Sequence, residues 1–416
     1  MKNTQSSRCG MLVAVGVVTV GLAAPAFADS LIDPFGFDES YNPIGVRVGQ
    51  FIIYPSVEAG VGFTDNTFQT SGNTTEDGFY LVSPSVYVAS NFARHEVDLL
   101  LDLDAQKFFS EDSEDVVNFF AESNGKLDLS RGLSVDTTIA YAIDHESRGA
   151  PDVPVSVSEP PRFQEFDTSA IVSYQPNRFG VAAGGGYGFV DYDTETLNNG
   201  GIVDNNDRDR DSHFAMGEVS YEFLEEYTWF LRGTYTGTDF DRTLDRSGVN
   251  RDSEEVSVLA GIQFEVSRLI VGEIGVGYFE RQYDDSTLPD IDGVDYNVEL
   301  EWSATPLLTV TASGSRSVEE TIIAGASGSL DHSGGLALDW RILRNLTVDA
   351  DVNYTNSEFE GTGRSDDLIT AGVGASYAFT NNVAAVLSYD HTDRDSSVNA
   401  SDYDENTVTF GLRLSL

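Results

Sequence analysis

In Leu346-Thr-Val-Asp-Ala-Asp-Val-Asn-Tyr354, apolar and polar residues alternate without a break. Leu346, Val348, Ala350, Val352 and Tyr354 fall on one face, and Thr347, Asp349, Asp351 and Asn353 on the other. A period of two belongs to a β-strand, since the apolar residues of an amphipathic helix recur every three or four positions. Residues 96–104 repeat the scheme, with Val97, Leu99, Leu101 and Leu103 against Glu96, Asp98, Asp102 and Asp104. So do 133–143, where Leu133, Val135, Ile139, Tyr141 and Ile143 oppose Ser134, Asp136 and Thr138, and 256–266, where Val256, Val258, Ala260, Ile262 and Phe264 oppose Ser257, Gly261, Gln263 and Glu265.

These strands run for roughly 12–15 residues, against the 5–6 usual in soluble sheets. A soluble sandwich would bury the apolar faces against each other and place turns every 8–12 residues or so. Here turns recur at roughly twice that spacing, and the connections alternate in length. Short ones lie near 91–94, 130–132, 176–178, 225–226, 267–268, 305–306, 344–345 and 381–382. Longer ones lie near 65–78, 110–114, 149–161, 193–209, 242–250, 284–291, 322–328, 360–364 and 396–402. Short turns on one rim and long loops on the other, with apolar side chains facing outward, are the layout of an outer-membrane barrel. The expected fold is all-β: a transmembrane antiparallel up-and-down β-barrel of roughly 16–18 strands over residues 51–416. Aromatic residues agree, since Tyr227, Trp229, Trp302, Trp340, Tyr377 and Phe379 cluster near short turns, and Tyr141, Tyr235, Tyr278, Tyr354 and Tyr389 near long loops. Two such bands are interfacial girdles. The chain ends in Phe410-Gly-Leu-Arg-Leu-Ser-Leu416, a strand reaching the last residue, as in the terminal strands read by the outer-membrane assembly machinery.

The amino terminus reads as an address. Lys2 and Arg8 precede the apolar run Met11 to Ala24, and Ala26-Phe27-Ala28 offers a small-x-small cleavage site. Residues 1–28 are therefore expected to be a signal peptide, with 29–50 a periplasmic segment ahead of the barrel. The run is too short for a spanning helix, which needs about 20 residues. The chain carries 24 Lys and Arg against 68 Asp and Glu, a net charge of −44. Cleavage would remove Lys2, Arg8 and no acid, deepening this to −46. Such charge excludes non-specific nucleic-acid binding, which needs a basic patch. The single Cys, Cys9, excludes a disulfide framework and Cys-based metal centres.

Three segments resemble one family. They are Tyr41-Asn-Pro-Ile-Gly-Val-Arg-Val-Gly-Gln-Phe-Ile-Ile-Tyr-Pro-Ser56 leading into Gly62-Phe-Thr-Asp-Asn-Thr-Phe68, Glu146-Ser-Arg-Gly-Ala-Pro-Asp-Val-Pro154, and Asn177-Arg178. The chain is similar here to the porin-like outer-membrane β-barrel proteins often associated with exopolysaccharide biosynthesis and export genes. The likeness is clearest in the first half of the chain. It implies an integral barrel, polysaccharide passage, and polysaccharide export components as partners, and it supplies no catalytic residues.

If the apolar faces meet lipid, the lumen receives Glu96, Asp98, Asp102, Asp104, Asp136, Glu299, Glu301, Asp349 and Asp351, together with Arg232, Arg281, Arg341 and Arg413. Facing rows of Arg and carboxylate would narrow a pore, and excess carboxylate favours cations. A porin-like conduit in the outer membrane is the leading expectation, for exopolysaccharide secretion or passive diffusion. A closed structural or adhesive barrel and a barrel esterase or protease are the alternatives. Glu299 with Glu301, and Asp349 with Asp351, share a strand face as a glycosidase pair could, but a hydrated lumen wall is much the better account of them. Asp331-His332-Ser333 cannot form a triad, because adjacent strand residues point to opposite faces. Asp204-Asn-Asn-Asp-Arg-Asp-Arg-Asp211 lacks the Gly and Glu of a calcium loop. Gly184-Gly-Gly186 falls inside a strand, where Gly marks a bend or a close approach. No enzyme activity, catalytic residue, metal or cofactor is expected. The expected surroundings are outer-membrane lipid, lipopolysaccharide and the assembly machinery.

Overall fold

The computed structural model describes residues 36–38, 40–154, 156–267 and 269–416. The expected signal peptide, and the first residues of the segment after it, lie outside the described residues. Alternation becomes strand wherever it was read. In chain order the strands are β1 (Val46–Val48), β2 (Phe51–Thr64), β3 (Asp77–Ser90), β4 (His95–Phe108), β5 (Val116–Ser130), β6 (Leu133–His145) and β7 (Arg162–Tyr174). Then come β8 (Phe179–Tyr192), β9 (Glu195–Thr196), β10 (Ile202–Val203), β11 (Arg210–Leu224), β12 (Tyr227–Phe240), β13 (Ser253–Val266) and β14 (Ile270–Tyr283). The last are β15 (Ile291–Thr305), β16 (Leu308–Glu319), β17 (Ser329–Leu343), β18 (Leu346–Phe359), β19 (Ser365–Thr380), β20 (Val383–Ser396) and β21 (Tyr403–Ser415).

β1, β9 and β10 are short accessories. The other 18 strands form one antiparallel ring in which each pairs with its sequence neighbours. The ring closes where β2 meets β21, from Ser56↔Ser415 to Thr64↔Thr407. Closure leaves no edge, which is what a sheet in hydrocarbon requires. The short turns are set by local chemistry. Between β5 and β6, Gly132 has φ +72°, and a Cβ there would stand 2.4 Å from the Gln175 carbonyl oxygen, so only Gly fits.

The two faces differ as expected of a barrel in lipid. Outward side chains such as Trp229 (57% exposed), Val276 (60%) and Leu336 (55%) are bare apolar groups around the whole ring. A continuous apolar belt of this extent is stable only against hydrocarbon. Near the long-loop rim the outward tyrosines end on polar partners. The Tyr354 hydroxyl donates to Asp367 Oδ1 at 2.6 Å, Tyr187 to Asp211 Oδ1 at 2.6 Å and Tyr389 to Asn406 Oδ1 at 2.7 Å. A ring in the apolar belt with its hydroxyl on a polar rim suits a membrane interface.

Candidate functional site: the lumen and its two mouths

Alternation places the candidate residues on the inward face. On β4, Glu96, Asp98, Asp102 and Asp104 share the phase of Leu100, which is 6% exposed, opposite the lipid-facing leucines. Asn124 of β5 donates to Asp98 Oδ1 at 3.4 Å, and Ser83 of β3 donates to Asp104. Asp136 faces inward on β6 beside Ser134. Glu299 and Glu301 lie on the face of β15 opposite Val298 and Trp302. Asp349 and Asp351 stand over the bare backbone of Gly374 and Gly372 on β19, where a Cβ would meet their carboxylate oxygens at 2.4 and 2.7 Å.

The arginines do not form free rows facing the acids. Each is taken up by neighbouring groups, on the wall for Arg232, Arg281 and Arg413 and in the segment ahead of the barrel for Arg341. Arg232, 7% exposed, donates through Nε to Glu218 Oε2 and through both terminal nitrogens to Glu273, all at 3.0 Å, and lies over the Phe230 ring. Arg281 bonds Glu255 at 3.0 Å and also Glu320. Arg413 bonds Glu58 at 2.9 Å, and Arg341 donates to the Gly36 carbonyl at 3.0 Å. Arg232 and Arg281 each engage two carboxylates, so the wall retains an acidic excess. These pairs are nearly buried, so their worth is the avoidance of an unpaired buried charge more than any net stabilisation.

The inward face also carries apolar groups that the alternating pattern did not assign to it. Phe79, Leu81, Phe214, Met216, Phe230 and Leu259 are all buried there. Three of them lie directly across from glycines: Phe79 opposite Gly62, Phe214 opposite Gly186 and Phe230 opposite Gly261. In each case the ring occupies the space a Cβ would need. An inward aromatic covering a cross-strand glycine packs an otherwise weak strand interior. The glycines were the sequence signal for these contacts.

At the long-loop rim, residues 146–161, between β6 and β7, leave the wall and cross the mouth. Asp152 Oδ1 accepts from Thr321 Oγ1 at 2.8 Å and from the Ile322 backbone N–H at 3.2 Å. Those residues follow β16, almost half-way round the ring. Gly149 donates its N–H to Gln69 Oε1 at 2.8 Å, and its carbonyl accepts from Arg394 Nη1 at 2.7 Å. Arg148 donates to Glu114 and to the Val157 and Ser158 carbonyls. Glu146 receives both terminal nitrogens of Arg208, whose guanidinium lies 3.8 Å from the Tyr192 ring centroid. Val157 bridges to Leu197 in the neighbouring loop and is 2% exposed.

The other loops lock onto this crossing. Arg246 binds Asp207 at 2.7 Å, tying loop 241–252 to loop 193–209. Arg251, 1% exposed, binds Asp245 at 2.7 Å and the Ala326 carbonyl at 2.8 Å. Burial works to raise the carboxyls of Asp207 and Asp245. Arg246 on the first, and Ser247, the Val249 N–H and Arg251 on the second, outweigh it and hold both below the ordinary carboxylate range. The stretch 204–211 thus spends Asp204 on Arg242 and Asp207 on Arg246.

Among the described residues, those ahead of β2 pack against one side of the short-turn mouth. Phe37, 3% exposed, packs on inward-facing Ala378 and Ala384 with Tyr41 beside it. The Asp38 N–H donates to the Arg344 carbonyl at 2.9 Å, and the Gly45 N–H donates to the Leu416 carbonyl at 3.2 Å. β1 then pairs with the start of β2, in line with the end of β21.

The family model described as "Putative beta-barrel porin 2" matches residues 39–416. No curated protein matches the chain. Among solved structures, the chain is similar to OpdL of Pseudomonas aeruginosa at 12% identity, covering 89% of this chain and 100% of that one with a TM-score of 0.40. It is also similar to OccAB4 of Acinetobacter baumannii, at 12% identity, 88% and 98% coverage and a TM-score of 0.43. The copper transporter OprC is similar at 11% identity, 89% and 81% coverage and a TM-score of 0.45.

Proposed function

The chain belongs to the beta-barrel porin family whose model spans residues 39–416, and from that premise we propose that it is a cation-preferring conduit for small solutes across the outer membrane. The observation that carries the preference is the inward surface. Carboxylates on β4, β6, β15 and β18 face the lumen, while Arg232 and Arg281 are each neutralised by two acids. Walls of low dielectric focus the field of such charges and raise local cation concentration. The crossing loop 146–161 acts as the size filter at the outer mouth. A mouth clasped in this way supports passive diffusion of small solutes over passage of an acidic exopolysaccharide strand, which the lumen carboxylates would also repel. The chain acts without catalysis, after removal of residues 1–28 and insertion by the assembly machinery, and its acidic loops sit among lipopolysaccharide.

Planar-bilayer recording of the purified full barrel tests this reading. Discrete conductance steps that are lost to polymers above a sharp size threshold are expected. A barrel that inserts but never conducts would be a closed structural barrel instead.

A further inference from the structure

Neighbouring strands of the described wall part furthest between β15 and β16. β15 and β16 are paired from Thr305↔Leu308 up to Asn297↔Ser315. Yet β15 continues to Ile291 and β16 to Glu319. Beyond the last pair, β15 stays paired with β14 and β16 with β17, while the two inner edges separate toward the long-loop rim. The split opens at the outward tyrosine band, where Tyr278 lies across from Val294.

Side chains seal this seam. Phe279, Tyr283, Leu288, Ile291, Val318 and Leu330 form one buried apolar cluster. Phe279 and Tyr283 are in the lumen-facing phase of β14, whereas Val318 and Leu330 are in the lipid-facing phase of β16 and β17. Such phases meet because the end of the β16–β17 hairpin bends inside β15. Its loop is held there by Arg251 on the Ala326 carbonyl and by Asp152 on Ile322. Arg316 lies in the seam. Its Nη1 donates to the Val294 carbonyl at 2.6 Å, and its guanidinium stands 5.0 Å from the Phe279 ring centroid. Gly293 makes the room, since a Cβ there would be 2.5 Å from Arg316 Nη1. Arg316 Nε is buried and has no hydrogen-bond partner.

We propose that the β15–β16 seam is a lateral gate, closed in this structure, that admits a single-chain anionic amphiphile from the outer leaflet. Its alkyl chain would replace the contacts of the apolar cluster, and its carboxylate or phosphate head would meet Arg316. Parting any fully paired strands would expose a ladder of backbone groups to lipid, where nothing satisfies them. At this seam the ladder is already absent, so opening breaks side-chain packing and a few side-chain bonds, namely Arg316 to the Val294 carbonyl, Tyr296 to His332 and Arg281 to Glu320. An alkyl chain can restore the packing, and an anionic head can satisfy a guanidinium that has a free N–H. The inference stands whether or not the lumen conducts.

The test is photolabelling of the full-length barrel in liposomes with a diazirine-bearing dodecanoate, followed by peptide mapping. Label is expected to concentrate at Phe279, Ile291, Val318 and Leu330 over the lipid-facing Leu101 and Val348. Arg316→Ala should cut that share about tenfold, the equivalent of one charged hydrogen bond. Arg316→Lys should retain most of it. Heat-modifiable mobility on gels confirms that each variant is folded. If Arg316→Ala does not fold, the native label map and Arg316→Lys still decide the matter. Even labelling of the lipid-facing strands would overturn the proposal. So would seam labelling that Arg316→Ala leaves unchanged, or competition by water-soluble butanoate as strong as by unlabelled dodecanoate.

Discussion

Asp152→Ala should loosen the strap across the outer mouth while leaving the barrel intact. Asp152 holds the strap to the far side through two hydrogen bonds that one carboxylate oxygen accepts, from Thr321 Oγ1 and from the Ile322 N–H. Bonds to a charged group are worth roughly 1.5–3 kcal/mol each when well shielded. Asp152 is only half-buried, so about 1 kcal/mol apiece, or about 2 kcal/mol together, is the reasonable loss. That is roughly a thirty-fold shift in the balance between clasped and released strap. The barrel's own ladders are untouched, and the near anchors of the strap at Arg148 and Glu146 remain. Single-channel recording with polyethylene glycols of graded size reads the outcome. The variant should show frequent excursions to a larger conductance and admit larger polymers, while its mobility shift on heating stays native. Conductance and size cut-off identical to those of the native barrel would refute the strap as the filter.

Arg at Val348 or Leu101 should impair assembly, because both face lipid, where Arg costs roughly 2–4 kcal/mol at the midplane. Asp349→Arg should assemble, as judged by the folded band on unheated gels. Arg232→Ala leaves Glu218 and Glu273 without their shared cation and should destabilise the barrel by about 3–5 kcal/mol in denaturant unfolding; adding Glu218→Gln and Glu273→Gln should restore much of it. Acid should loosen the loop canopy. Asp207 and Asp245 are held below the ordinary carboxylate value of about 4, so their stabilisation is complete above that pH and fades as pH falls through the lower folded values. Hydrogen exchange in loops 193–209 and 241–252 should therefore stay slow down to about pH 4 and accelerate below it.

The barrel itself was legible because alternation is a local property that repeats in every strand. Val97 to Leu103 or Leu346 to Tyr354 each declare a lipid face unaided, and the short turns mark where one strand ends. Phase also sorted Asp98, Asp349 and Glu299 onto the inner face. Contacts across the mouth were not legible. Asp152 and Thr321 lie 169 positions apart, and nothing near either announces the other. The arginines were placed on the inner face by phase, but their partners depend on register between strands, as with Arg232 reaching Glu273 two strands away. The inward aromatics break the polar-inside rule where a glycine opposite leaves space, which is visible only once Phe214 is known to pair with Gly186. The parting of β15 from β16 likewise accompanies the hairpin's attachment to distant loops, which the alternation of neither strand announces.

The central claim, a conduit whose wall selects cations, is tested most directly by the reversal potential of the native barrel across a KCl gradient. The account predicts a potential of the sign set by K⁺, weakened but still present as salt rises and screens charges beyond about 8 Å. Changing Asp98, Asp102 and Asp104 together to Asn should move that potential toward zero. A native potential of the sign set by Cl⁻ would contradict the account.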